Sequence, residues 1–327
     1  MSGRKVRSIS FLVFVLLLAS SFIGCGDQGS SPSTTPTPPP SGSWRGTQQF
    51  GSNLDDIGRA VTVDSSGNIY ITGSTGGNLG TISFGGLDVF LAKFDPTGNL
   101  LFIQQFGSSR DDIGYGLAID SSGNIFIVGS TAGSMPGNIS FGGVDFFLAK
   151  FDSSGTLLFI QQFGSNLDDI GRGLAFDSSG NVLITGSTGG SMPGNTSFGG
   201  LDVFLAKFSS SGILLFIGQF GSNLDDIGYG IAVDSSGNVL MTGAAGGSMP
   251  GNTSFGGVDV FLARSDTSGV LRIQQFGSNL DDIGYGLAID SSASVFITGS
   301  TGGILGVNSK GQLDAFLVKF NSAGVKQ

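Results

Sequence analysis

A chain in which one segment recurs five times, each copy dividing into four short strands, predicts an all-β fold: a β-propeller of five four-stranded blades, closed by the N-terminal strand. Three observations carry this reading. Gln-Phe-Gly returns with its Phe at positions 50, 106, 163, 220 and 276, at spacings of 56, 57, 57 and 56. The chain holds 58 glycines in 327 residues, and all 24 of its acidic residues are Asp; both favour tight turns over helix surfaces. Finally, the run Val89-Phe90-Leu91-Ala92-Lys93-Phe94 is apolar on both faces up to its lysine, as a sheet packed between two neighbours requires.

In the second copy the strands are predicted over Gly114–Ile119, Asn124–Ser130, Asp145–Phe151 and Thr156–Phe163. Two joining turns read Asp-Ser-Ser-Gly, at Asp120–Gly123 and Asp152–Gly155. Asp accepts backbone N–H bonds there, and Gly takes the left-handed conformation that closes a hairpin. The fifth copy instead reads Ser291-Ser292-Ala293-Ser294, placing Ala where glycine serves the turn, with an expected strain of about 1 kcal/mol. That copy stops at Gly324-Val325-Lys326-Gln327 without its fourth strand. Trp44–Phe50, which precedes the first copy, matches the missing strand in its Gln-Gln-Phe, and is expected to complete the last blade and close the ring.

The string Asp111–Thr131, with Gly-Gly-Val-Asp-Phe-Phe-Leu-Ala-Lys-Phe-Asp-Ser-Ser-Gly after it, resembles the bacterial β-propeller repeat known as SBBP. The resemblance covers nearly everything from Trp44 to Gln327 and implies secreted proteins of propeller architecture.

Three regions follow from composition. Residues 1–24 read as a lipoprotein signal peptide: Arg4, Lys5 and Arg7 precede an apolar core, Phe11–Ala19, too short to span a bilayer. Phe22-Ile23-Gly24-Cys25 resembles a lipobox, which implies fatty acylation of Cys25, as with palmitate, and membrane anchoring by more than one acyl chain. Gly26 rather than Asp follows, which points to the outer membrane or cell surface of a bacterial envelope before the inner membrane. Residues 25–43 form a Ser/Thr/Pro linker that keeps an extended tether, and residues 44–327 hold the five repeats.

The composition excludes several functions. Without His and with a single Cys, the chain has no Ser-His-Asp triad, no His/Cys zinc site and no internal disulfide. Removing residues 1–24 leaves 12 basic against 24 acidic residues, a net charge of −12 that repels nucleic acid.

Candidate sites sit where the loops between blades and the loops between second and third strands share a face. The pairs Asp55/Asp56, Asp111/Asp112, Asp168/Asp169, Asp225/Asp226 and Asp281/Asp282 would place ten carboxylates around one channel mouth. Such a ring could hold Ca²⁺, which prefers oxygen ligands, although capping of turns is the plainer role. Tips at Met135-Pro136, Met192-Pro193 and Met249-Pro250 would present a soft patch to a partner. Phe84, Phe141, Phe198 and Phe255 follow these loops and are expected to pack beneath them. Asp88/Lys93 and its four counterparts lie on opposite strand faces, so they cannot pair within one blade; a structural role is expected, with contacts to neighbouring blades open to them. No acidic residue stands apart from its copies, so the expectation is a non-catalytic binding or scaffold module with no cofactor and a protein or glycan ligand. The alternatives are a multivalent lectin and a glycosidase built on two carboxylates.

Overall fold

The computed structural model describes residues 44, 46–80, 82–306 and 311–327; the signal segment 1–24 and the linker 25–43 with Cys25 lie outside the described residues. Blade one contains β1 (Asp56–Val63), β2 (Ile69–Thr75), β3 (Asp88–Phe94) and β4 (Leu100–Phe106). Blade two contains β5 (Asp112–Ile119), β6 (Ile125–Thr131), β7 (Asp145–Phe151) and β8 (Leu157–Phe163). Blade three contains β9 (Asp169–Phe176), β10 (Val182–Thr188), β11 (Asp202–Phe208) and β12 (Leu214–Phe220). Blade four contains β13 (Asp226–Val233), β14 (Val239–Ala245), β15 (Asp259–Ser265) and β16 (Leu271–Phe276). Blade five contains β17 (Asp282–Ile289), β18 (Val295–Thr301) and β19 (Asp314–Phe320). Each sheet is an antiparallel meander in sequence order, and no helix occurs among the described residues. The all-β propeller of five blades stands, with strand ends within two residues of expectation in blade two.

The Asp-led turns form as their chemistry dictates. Asp120 Oδ1 accepts the N–H groups of Ser122 and Asn124, and Gly123 closes the hairpin at φ +81°. Bonds of the same kind, from Thr97 and Asn99, bring the Asp95 carboxyl down to about 2. Ala293 adopts the same left-handed conformation, φ +58°, and is the one non-glycine residue with positive φ among those described.

The core lies between blades. Tyr70, Val89, Leu91 and Phe106 of blade one pack with Ile125, Ile127, Phe147 and Phe151 of blade two, and three further clusters repeat the arrangement down to blade five. Polar staples accompany each junction. Asp112 N–H donates to Leu87 O at 2.7 Å, while Leu87 N–H donates to Asp111 Oδ1 at 2.9 Å. Val144, Leu201 and Val258 make the same pair of bonds with the blades that follow them. Glycine on the innermost strand permits the close approach: a Cβ on Gly114 would meet Thr72 Oγ1 at 2.6 Å.

The closing strand differs from expectation. The fifth sheet has three strands, and the outer edge of β19 receives the chain's own tail, through a Phe320–Lys326 bridge and Gln327 N–H donating to Lys319 O. The segment ending in Phe50 docks on blade one instead. Phe50 lies 5.6 Å from Phe90 and 5.3 Å from Phe94, repeating the contacts of Phe106 with Phe147 and Phe151. Gln-Gln-Phe therefore marks the end of a fourth strand, against the next blade; the phenyl packing it secures is local, and needs no pairing with β19.

Ala293→Gly relieves a strained turn and should raise unfolding free energy by about 1 kcal/mol, read as a higher denaturant midpoint. An unchanged or lower midpoint would show that the strain is absent.

Candidate binding face

Loops joining second to third strands and loops joining blades emerge at the same end of every sheet, because Asp112 aligns with Thr131 and Thr131 with Asp145. The Asp pairs stand here with divided roles. The first members are exposed and hold blades together, as Asp111, Asp168, Asp225 and Asp281 do through Oδ1. Of the second members, Asp112, Asp169, Asp226 and Asp282 are fully buried, and each accepts a backbone N–H from the Ser four residues earlier. Asp56 accepts from Ser52 in the same way while half-buried, and Asp55 is exposed. Turn capping and junction stapling thus engage the carboxylates read as a ring at a channel mouth. No group of three or more His, Cys, Asp or Glu is placed to hold a metal among the described residues.

A second buried acid lies near each of the four buried capping Asp residues. A Cβ on Gly107 would touch both Asp88 Oδ1 and Asp112 Oδ2, at 2.5 and 2.6 Å. Burial pushes the Asp112 carboxyl up to about 6 against its hydrogen bonds from Thr131 and Ser108, with the Asp88 charge adding to the rise. Asp169 and Asp226 are raised to about 6 by the same burial, beside Asp145 and Asp202.

Gln162 organises the long loop of blade two, a role the sequence reading missed. Its Nε2 donates to Asp145 Oδ2 and Gly133 O, and its Oε1 accepts the Met135 N–H. Gln105, Gln219 and Gln275 repeat these bonds. The signal was present in the recurrent second Gln of Gln-Gln-Phe-Gly. This anchoring draws Met135, Met192 and Met249 into the core at 1% exposure, so the expected soft methionine patch is absent; only Pro136, Pro193 and Pro250 remain at the surface. Two of the recurrent strand lysines contact the next blade: Lys93 Nζ donates to Ser153 O and Lys150 Nζ to Ser210 O.

The phenylalanines after the loops do not pack beneath them. Phe84, Phe141, Phe198 and Phe255 are 42–56% exposed. The Gly-Gly that follows each one lies tight against the next inter-blade loop, as Gly142 does against the Asn166 backbone. Chain that close leaves no space under it for a ring, so the Phe turns outward. Leu54, Leu167, Leu224 and Leu280 of the inter-blade loops are also half-exposed. The loop face therefore carries a rim of Phe and Leu over a hydrogen-bonded base, a pattern of exposed apolar surface associated with binding.

Toward the axis, each innermost strand has one unpaired bulge residue: Arg59, Tyr115, Arg172, Tyr229 and Tyr285. The bulge turns the side chain out of the ladder toward its neighbours. Arg172 lies 5.6 Å from the Tyr115 ring and 5.3 Å from the Tyr229 ring, Arg59 lies over Tyr115, and Tyr229 meets Tyr285 edge to face.

Five segments, 46–80, 101–134, 158–191, 216–248 and 272–306, match the SBBP β-propeller repeat, and together they cover more than half of the chain. The chain belongs to the SBBP repeat family. Over 164 residues this SBBP chain is 27% identical to "Regulatory protein FlaEY" of Caulobacter vibrioides, a match covering 46% of the chain but only 17% of the relative's length. Its fold is similar to that of a protein of unknown function from Bacteroides caccae (TM-score 0.47, 13% identity, 83% of this chain and 81% of that one). It is also similar to the Pan2 WD40 domain of Neurospora crassa (TM-score 0.48, 11% identity, 83% and 64%).

Two sets of carboxyls give stability opposite dependences on pH. Asp112, Asp169 and Asp226, raised in the fold, stabilise it below their unfolded value near 4, and that contribution is lost as pH rises through about 6. Turn residues such as Asp95 and Asp177, brought down to about 2, stabilise above about 4 and lose their contribution as pH falls. The melting temperature should therefore peak at about pH 4–5 and fall toward neutrality, and Asp112→Asn with Asp169→Asn and Asp226→Asn should flatten the neutral limb. A melting temperature that rises steadily from acid to neutral pH counts against it.

Proposed function

We propose that this SBBP chain is a non-catalytic binding module of the bacterial envelope that engages another protein through the apolar rim of its loop face. The observation that carries the reading is the row of exposed Phe and Leu set on a base fixed by the Gln162-type hydrogen bonds. A rigid base lowers the entropy lost on binding, and aromatic side chains supply much of the affinity at interfaces. The anchor is the part read from Cys25 and its preceding lipobox-like residues, with the outer membrane or cell surface as the site and residues 25–43 as tether. The Caulobacter relative is named a regulatory protein, which agrees with a binding role, and the chain matches 17% of its length.

A second reading, a glycan-binding propeller, is favoured by the Arg59–Tyr285 ladder, which sets aromatic faces beside guanidinium groups at the axis. The two separate by where mutation acts. Phe141→Ser, Phe198→Ser and Phe255→Ser lie on exposed positions and should each change stability by no more than about 0.5 kcal/mol. Together they should abolish capture of envelope proteins by immobilised Ser41–Gln327, with melting unchanged. Binding to a glycan array that survives these substitutions, in calcium or chelator, and is lost with Arg172→Ala would decide for the ladder instead.

A further inference from the structure

Four blade junctions are complete, and a fifth junction is present only as two separated halves. On blade one, Val61 and Val63 of β1 are 65% and 57% exposed. Their counterparts Leu117 and Ile119 of β5, and Leu287 and Ile289 of β17, pack in the inter-blade clusters. A Cβ on Gly58 would meet nothing but Ile71 of its own blade, at 3.5 Å, whereas Gly114 and Gly284 each abut the preceding blade. On blade five, Leu317 of β19 is 73% exposed, while Leu91, Leu148, Leu205 and Leu262 at the same position are buried. The polar staples are divided likewise: the exposed Asp55 carboxylate stands at one end, and Leu313, which occupies the position of Leu87, at the other. Residues 325–327 line the outer edge of β19 and leave Leu317 bare, and Phe50 already covers blade one as the end of a preceding fourth strand would.

We propose that a second copy of the chain covers these faces, blade one of one copy docking on blade five of another to form a fifth junction like the four within each chain. The two faces are complementary because they are copies of faces that already pair, in apolar content, in glycine placement and in staples. Bringing the two ends of one chain together would require changing the angle at four packed junctions that share one set of hydrogen bonds. A second copy leaves all four unchanged. The contact is heterologous, so it extends to a ring or a filament of copies according to the angle between them.

Every described strand and apolar cluster lies within Ser41–Gln327, a compact unit by itself that omits Cys25, so this fragment suits a solution test. Light scattering should give masses above one copy that grow with concentration up to millimolar. Val61→Asp blocks one face and Leu317→Asp the other; both positions are exposed, and circular dichroism should confirm that each variant folds. Each alone should be a single copy. An equimolar mixture should form a one-to-one pair that grows no further, since one good face of each kind remains. A single-copy wild type at all concentrations overturns the proposal, whether the ends close on themselves or stay uncovered. Association that survives both substitutions, or a mixture that stays unpaired, overturns it equally.

Discussion

Everything in this molecule depends on a sheet that is apolar on both faces. Val89, Phe90, Leu91, Ala92 and Phe94 of β3 are all buried, and no single four-stranded sheet could bury both sides of such a strand. A blade is therefore stable only between neighbours, and the unit of stability is the junction. The repeat length, the glycines of the innermost strands and the edge-to-face contact of Phe106 with Phe147 all serve that junction. Truncating a ring such as Phe147, fully buried between two blades, belongs to the class of core changes that cost about 3–5 kcal/mol.

The same constraint explains the use of aspartate. A junction that excludes water still contains backbone N–H groups where the chain crosses from one blade to the next, and these need acceptors. The Asp side chain is short enough to reach a neighbouring N–H within a turn, and Asp112 and Asp111 divide the work, one inside its own loop and one across the blades. Placing a carboxyl in so dry a site raises its proton affinity, which is why Asp112 is held near 6 while the solvated turn residue Asp95 falls to about 2. Identical residues thus titrate apart through environment alone.

Periodic features were legible in the sequence because they reflect local chemistry. Spacing gave the blade count, Asp-Ser-Ser-Gly gave the turns, and Ala293 was recognisable as a residue in a glycine's conformation. What escaped reading depends on contacts far apart in sequence. Met135 precedes Pro-Gly and looks like an exposed tip, yet an amide 27 residues away holds its N–H and buries its side chain. Phe141 looks like packing material until the backbone of Asn166 is seen to occupy the space beneath its loop. The Gln-Gln-Phe of residues 48–50 identifies the blade against which Phe50 rests, but similarity of sequence carries no information about which strand edge, if any, the segment pairs with.

Repetition also limits what any one residue can do. Five near-identical copies give five near-equivalent environments, and the departures from equivalence fall at the ends of the array and along the axis. Arg59 and Arg172 interrupt a row otherwise filled by Tyr115, Tyr229 and Tyr285, so the axis alternates cation and ring over its first four positions where the rest of each blade merely repeats. The loop rim is multivalent by construction, since Phe141, Phe198 and Phe255 follow the same Met-Pro-Gly tip in adjacent blades. Several weak, equivalent contacts on a rigid body add into one strong attachment only when a partner spans them together. A propeller built by copying one junction thereby carries matched elements on its loop face without evolving each separately, and under the proposed binding role the fitting partner has a repeating or extended apolar surface.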